Sequence, residues 1–159
     1  MIKENIKTLG MSLFTVGLLG IGWAALMQED DITVATPLRL SPNDAEVVSL
    51  GRRIYAVQCA ACHGAALEGQ PNWQKRKPNG RLPAPPHDET GHTWHHPDSI
   101  LFAITKFGPA AVVGDARYQS DMPAYQGKLS DEEILAVLSY IKSSWPEPIK
   151  RRHDNMKDG

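Results

Sequence analysis

The stretch Cys59-Ala60-Ala61-Cys62-His63 sets the interpretation of the whole chain. Two thiols three residues apart at the end of a helix can each add to one vinyl group of a haem. The histidine that follows them then lies beneath the ring, where its imidazole can bind the iron axially. This spacing therefore predicts one covalently attached haem c, held through Cys59 and Cys62 and bound by His63.

Three other kinds of site also use closely spaced cysteines. A thioredoxin-like redox pair requires a strand followed by a helix, and the flanking sequence has no such pattern. A zinc site would join the cysteines to His92 and His95, but 29 residues separate Cys62 from His92, more than the usual finger spacing. A structural disulfide would leave His63 and the long loop that follows it unexplained. The haem interpretation accounts for all three side chains of the motif.

A haem iron that is bound by one histidine needs a second axial ligand from elsewhere. Beyond residue 28 the chain has two methionines, Met122 and Met156. Met122 lies in Asp121-Met122-Pro123-Ala124-Tyr125, where the proline stiffens the backbone just after it. A lone methionine is usually core filler, but next to a predicted haem Met122 becomes the expected iron ligand. Met156 lies in the charged tail and is a poor candidate.

The predicted fold class is all-α, because the chain shows helical periodicity in three segments and no convincing strand. The first helix begins with Ser41 as N-cap and runs into Cys59. The second begins near Asp98 and ends at Gly108. Their apolar residues at helical spacing are Val47, Leu50, Ile54 and Val57 in the first, and Ile100, Leu101, Ile104 and Phe107 in the second.

The third helix has the clearest signals. Ser130 and Glu133 form a capping box, and the helix is expected to end near Pro146. Its predicted buried residues are Ile134, Leu135, Val137, Leu138 and Ile141. Residues 64–96, by contrast, are an extended proline-rich loop, and a loop of that length needs something to wrap around. Three helices with such loops form a poor core alone, which again indicates a large apolar cofactor.

The N-terminal segment predicts a membrane anchor. Residues 9–27 are an uncharged stretch of 19 residues, about 28 Å long as a helix and enough for one bilayer crossing. Lysines precede it and acidic residues follow it, so the positive-inside rule places the later residues outside the cytoplasm. A cleaved signal peptide is the competing interpretation. The expected organisation is an anchor over 1–27, a linker over 28–40, a haem domain over 41–146 and a charged tail over 147–159.

These patterns together resemble the class I, mitochondrial-type c-type cytochromes, specifically small monohaem, membrane-anchored bacterial forms. The resemblance covers about residues 41–146 and rests on the haem motif followed, some sixty residues later, by Met122-Pro123-Ala124-Tyr125. It implies a cytochrome c-like fold of three main helices with long loops around one haem. It also implies that His63 and Met122 are the axial ligands.

The resemblance assigns structural roles to several other residues. In that family the first and last helices cross at a small glycine, the role expected of Gly51, and an aromatic side chain packs on the last helix, as expected of Tyr55. A proline carbonyl accepts a hydrogen bond from the histidine ligand. The candidates for that carbonyl are Pro83, Pro85 and Pro86.

The segment Gly91-His92-Thr93-Trp94-His95-His96-Pro97-Asp98 departs from the simplest members of the family. We expect Trp94 and one histidine to hydrogen-bond the haem propionates, while the other histidines cap the second helix. A copper or zinc site, or a histidine as sixth iron ligand, is the alternative. His87 and His153 have no evident partners in the sequence and are expected at the surface.

The expected function is electron transfer rather than enzymatic turnover. We expect a tethered carrier in respiration or photosynthesis, on the periplasmic side of a bacterial inner membrane. It would accept electrons from a quinol–cytochrome c reductase and deliver them to a haem–copper oxidase or similar acceptor. A permanent haem subunit of a larger oxidoreductase is the alternative, and a peroxidase-like activity after loss of Met122 from the iron is a third hypothesis. A net charge of -1 argues against a nucleic-acid partner, and no small-molecule substrate is expected.

Overall fold

Helices joined by irregular loops build the part of the chain that the structure describes. The computed structural model describes residues 38–115 and 117–156, and within these residues it contains no strand beyond one isolated bridge. The all-α prediction is confirmed for these residues. The helices are α1 (Ala45–Gln58), α2 (Ala60–His63), a 3₁₀ turn (Thr93–His95), α3 (Asp98–Phe107), α4 (Pro109–Val113), α5 (Asp131–Ser143) and α6 (Glu147–Asp154).

The first helix begins later than its sequence predicts. The Asp44 carboxylate accepts hydrogen bonds from the backbone N–H groups of Glu46 and Val47, which makes Asp44 the N-cap. The prediction of Ser41 as N-cap was therefore wrong. The backbone N–H of Ser41 donates instead to the hydroxyl of Ser139 on α5, at 2.9 Å. Ser41 thus ties the chain before α1 to the last main helix.

The crossing of α1 and α5 forms the centre of the fold. Gly51 is buried there, and a Cβ at this position would collide with the carbonyl oxygen of Ala136. Tyr55, one turn later, is 2% exposed, and its ring centroid lies 5.4 Å from that of Tyr140. The roles expected of Gly51 and Tyr55 are confirmed. The apolar face predicted for this helix was wrong at Val57, which is 76% exposed.

The buried face of α3 is also rotated from the predicted one. Leu101, Phe102 and Thr105 are buried, whereas Ile100 and Phe107 are exposed. Thr105 can be buried because its hydroxyl donates to the carbonyl of Leu101 within the same helix, at 2.9 Å. A pattern that counts only apolar side chains misses this polar position. The predicted stop at Gly108, which adopts a φ of 83°, is confirmed.

The last main helix follows its sequence signals closely. The Ser130 hydroxyl accepts from the Glu133 backbone N–H, and the Glu133 carboxylate accepts from the Ser130 backbone N–H, so the capping box is confirmed. Leu135 is only half-buried. The buried residues of α5 are Ile134, Ala136, Val137, Leu138, Ser139, Ile141 and Lys142.

Most of the predicted charged tail after Pro146 forms α6. His153 on this helix is 3% exposed, and its Nε2 donates to the carbonyl of His96 at 2.8 Å. Its ring also meets that of Trp145 edge-on, with centroids 5.0 Å apart. The buried ammonium of Lys142 pairs with Asp154 at 2.6 Å. The expectation that His153 lies at the surface was wrong, because contacts distant in sequence bury it.

The predicted membrane anchor lies outside the described residues, as does most of the predicted linker. Within 38–115 and 117–156, every helix is too short or too polar to cross a bilayer.

Candidate functional site

The two cysteines and the histidine of the motif lie where α1 gives way to α2. Cys59 is the residue between the two helices and is half-buried, Cys62 is exposed, and His63 ends α2 with 7% of its surface exposed. Both cysteines carry free thiols. The motif thus presents two unpaired sulfur atoms beside one buried imidazole.

The tautomer of His63 follows from its hydrogen bond. Its Nδ1 lies 2.8 Å from the carbonyl oxygen of Pro85, and because a carbonyl only accepts, Nδ1 must carry the proton. Nε2 therefore keeps its lone pair. Burial lowers the pKa of His63, although the bond to Pro85 acts in the opposite direction, so the imidazole is neutral at pH 7. Among the three proline candidates, the structure selects Pro85.

Backbone hydrogen bonds hold the long loop in a conformation that brings Pro85 next to His63. The N–H of Gly69 donates to the carbonyl of His63 at 2.8 Å, and the N–H of His87 donates to the carbonyl of Leu67 at 2.7 Å. Gly69 is packed so closely on the backbone of Pro85 that a Cβ there would collide with it. Leu67 is 4% exposed and anchors the turn in the core. The loop therefore wraps around the histidine of the motif.

His87 is a member of this site that the sequence interpretation missed. It was expected at the surface, but its ring stacks on that of His63 with centroids 4.0 Å apart and planes 20° apart. Its Nδ1 lies 2.7 Å from the hydroxyl oxygen of Thr93. Burial lowers the pKa of His87 well below its usual range, and the neighbouring His63 adds to this. Its place directly after the candidate prolines Pro83, Pro85 and Pro86 was the signal that could have identified it.

The segment that carries Met122 is fastened at both ends. On one side Asp121 pairs with Lys77, at 3.2 Å, and with Arg81 of the long loop. On the other, the hydroxyl of buried Tyr125 donates to the carbonyl of Gln58, the residue before Cys59, at 2.7 Å. Met122 itself is half-buried and packs against the hydrophobic core. The structure thus joins the Met122 segment to both flanks of the motif region.

The histidines of residues 91–98 do not form a metal centre in the described structure. The rings of His92 and His95 stack with centroids 4.9 Å apart, and both side chains are exposed. Across the described residues, no three His, Cys, Asp or Glu side chains are placed to hold a metal ion. Trp94 was expected to bind a propionate, but its indole N–H donates to the carbonyl of Glu89 at 3.1 Å. The loop copper or zinc alternative therefore gains no support.

The groups at the motif fit a covalently attached haem. Burial raises the pKa of the Cys59 thiol to about 11, so this sulfur is protonated at pH 7. Neither thiol is in a disulfide, and His63 offers a neutral Nε2 beside them. Thiols that can add to vinyl groups, next to an imidazole nitrogen that can bind iron, are the donor set that haem c requires.

Comparison with known proteins agrees with this chemistry. Neither the curated proteins nor the solved structures contain a significant match to the chain. The family model described as cytochrome c matches residues 48–145, which is more than half of the sequence and includes the motif, the returning loop, Met122 and the α1–α5 crossing. The chain therefore belongs to the cytochrome c family, whose cofactor is covalently attached haem c.

Proposed function

We propose that this protein is a one-electron carrier in which Cys59 and Cys62 hold a single haem c and His63 and Met122 bind its iron. Membership of the cytochrome c family supports a haem-based electron carrier. The observation that carries the finer proposal is the hydrogen bond from His63 Nδ1 to Pro85, which leaves Nε2 neutral and free. The methionine assignment is supported by the two anchors that join the Met122 segment to the motif region.

The residues of the chain keep the site unchanged between oxidation states. Haem c, when bound, supplies an iron that gains and loses one electron. His63 keeps its proton on Nδ1, which donates to the Pro85 carbonyl throughout, so no proton has to move at that atom. A thioether sulfur from Met122 favours the reduced metal and raises the potential. If His63 and Met122 both hold the iron, the site would suit electron transfer better than substrate turnover.

We also propose that the haem domain is tethered at a membrane surface. The uncharged stretch 9–27, with lysines before it and acids after it, supports a retained anchor and an extracytoplasmic haem domain. A flexible linker over 28–40 would reach roughly 20 Å. This tether would hold the haem domain at high effective concentration near membrane-bound redox partners. A quinol–cytochrome c reductase as donor and a haem–copper oxidase as acceptor are the partners that suit such a carrier.

The full-length chain, produced in bacteria with a haem-attachment system, tests the proposal. A potentiometric titration followed by the visible haem bands is expected to give one reversible transition with a one-electron slope. Haem staining after a denaturing gel is expected for the protein but not for a variant with both Cys59→Ser and Cys62→Ser. Loss of haem from the unchanged protein in the gel would overturn the covalent site.

Membrane attachment is tested on the same cells. The haem-stained chain is expected to stay with membranes after a carbonate wash, and protease added outside spheroplasts is expected to digest it. A haem-stained chain found in the soluble fraction would overturn the tether while leaving the haem site intact.

A further inference from the structure

We propose that His87 is a positioning residue that fixes the rotation of the His63 imidazole and thereby the orientation of the axial ligand plane. This inference rests on the proposed function, because it takes His63 as the iron ligand. It goes beyond that function by assigning a role to a side chain outside the haem motif.

The His63 ring has two contacts that restrain it in different ways. The hydrogen bond from Nδ1 to Pro85 holds one edge of the ring at 2.8 Å. A hydrogen bond tolerates some change in its angle, so this bond alone allows the ring to tilt. The flat face of His87, stacked at 4.0 Å and 20°, opposes this motion. The bond and the stack together restrain the ring plane more tightly than the bond does alone.

His87 is itself held more firmly than a residue that only fills space. Its backbone N–H donates to Leu67 at 2.7 Å, and its carbonyl accepts from the indole N–H of Trp145 at 2.8 Å. Its Nδ1 lies 2.7 Å from the Thr93 hydroxyl oxygen. Backbone and side chain are therefore both fixed, and the ring provides a rigid surface for its neighbour.

The chemistry of the position also favours a role beyond packing. Burying an imidazole costs free energy unless it is hydrogen-bonded, whereas an aliphatic side chain would fill the same space at no such cost. The Thr93 hydroxyl supplies this hydrogen bond to Nδ1 of His87. The ring of Tyr55 packs edge-on against the His87 ring, with centroids 6.2 Å apart. Contacts that orient a metal-ligating histidine set both ring orientation and metal properties. The stack on His63 is such a contact.

The test compares two histidines that receive the same substitution. His87→Leu removes the stacked ring, and His153→Leu removes a histidine that packs on Trp145 and has no contact with His63. The readout is the pattern of haem methyl shifts in the proton NMR spectrum of the ferric holoprotein, together with its electron paramagnetic resonance g values. Both report the orientation of the axial imidazole plane. The reduction potential of each variant is measured alongside.

We expect the methyl shift pattern and the g values to change in His87→Leu and to stay as in the unchanged protein in His153→Leu. His87→Phe, which restores a flat ring, is expected to return the pattern most of the way. If His87→Leu does not fold, Thr93→Val decides the question, because it loosens His87 without touching His63. An intermediate shift in Thr93→Val supports the proposal, and an unchanged pattern overturns it.

The outcomes separate this proposal from the function on which it rests. A low-spin haem whose shift pattern is the same in His87→Leu and in the unchanged protein overturns the positioning role only. Equal shifts in His87→Leu and His153→Leu do the same, because they indicate a general loss of packing. A ferric haem that is not low-spin in the unchanged protein overturns both.

Discussion

The two proposed iron ligands lie in different surroundings. His63 is 7% exposed and contacts two half-buried partners, the Pro85 carbonyl and the His87 ring. Met122 is half-buried on a loop whose anchors are the exposed carboxylate of Asp121 and the buried hydroxyl of Tyr125. Buried, multiply bonded groups open only with large parts of the fold, whereas loops with few contacts open locally. Met122 is therefore expected to be the ligand that the protein loses first.

The largest effect is expected at the crossing of α1 and α5, because the surroundings of both His63 and Met122 depend on it. Gly51→Val puts a branched side chain against the Ala136 carbonyl, and overpacking of this kind costs about 3 kcal/mol or more. Denaturant unfolding of the ferric holoprotein measures the loss. Arg52→Val, the same new residue at the exposed neighbouring position, is expected to stay within about 0.5 kcal/mol. Equal stabilities of the two variants would contradict the tight crossing.

Two tyrosine variants separate the anchoring of Met122 from the general stability of the fold. Tyr55→Phe and Tyr125→Phe each remove one buried hydroxyl that donates to a carbonyl beside the motif, that of Gly64 and that of Gln58 respectively. Each is expected to cost about 1 kcal/mol of unfolding free energy. On warming, only Tyr125→Phe is expected to lose the methionine–iron absorption band at a lower temperature. If both variants lost the band at the same lowered temperature, the Tyr125 hydroxyl would have no specific role in holding Met122.

Acidification is expected to weaken the region around α6. Burial, followed by the nearby Lys142 ammonium, lowers the pKa of His153 in spite of Asp98. Below the ordinary pKa of histidine the unfolded chain takes up a proton that the folded chain does not, so stability falls as the pH decreases below about 6.5. The slope is at most about 1.4 kcal/mol per pH unit for one such group.

Unfolding free energies measured between pH 7.5 and pH 5.5 test this effect. His153→Phe keeps an aromatic ring beside Trp145 and removes the titrating group, so a flatter profile is expected. An unchanged slope in this variant would assign the acid sensitivity to other groups.

The smallest expected effect concerns the ion pairs of the Met122 segment. Asp121→Asn breaks the pairs with Lys77 and Arg81, which join two loops. Exposed pairs contribute little and are screened by salt, so the band is expected to disappear at a slightly lower temperature. Asp115→Asn removes a comparably exposed carboxylate whose ion pair within the described residues is with Arg117, two positions later, and should have no effect on the band. If the band disappeared at the same temperature in both variants, the ion pairs of Asp121 would not help to hold Met122.

The sequence was sufficient to predict those features that depend on a single short segment. The haem motif, the capping box at Ser130 and Glu133 and the stop at Gly108 depend on residues within a few positions of each other. Gly51 required a family resemblance, because a glycine inside a helix says nothing by itself about what crosses it. The choice of Pro85 among three prolines required the structure.

The remaining features depend on partners that are distant in the chain. His153 is buried because it reaches the carbonyl of His96, 57 residues away, and this contact accompanies a helix where a tail was expected. Asp44 rather than Ser41 caps the first helix, and the backbone N–H of Ser41 donates instead to Ser139, 98 residues away. His87 was missed because hydrophobic periodicity does not register a half-buried imidazole.

The ferric absorption spectrum tests the central assignment most directly. It is recorded for the unchanged holoprotein, for Met122→Ala and for Met156→Ala, which alters the other methionine beyond residue 28. The weak long-wavelength band of methionine–iron ligation is expected in the unchanged protein and in Met156→Ala. It is expected to be absent from Met122→Ala, which should still carry covalent haem. A band that survives in Met122→Ala, or a low-spin unchanged protein without the band, would contradict His63 and Met122 as the ligand pair.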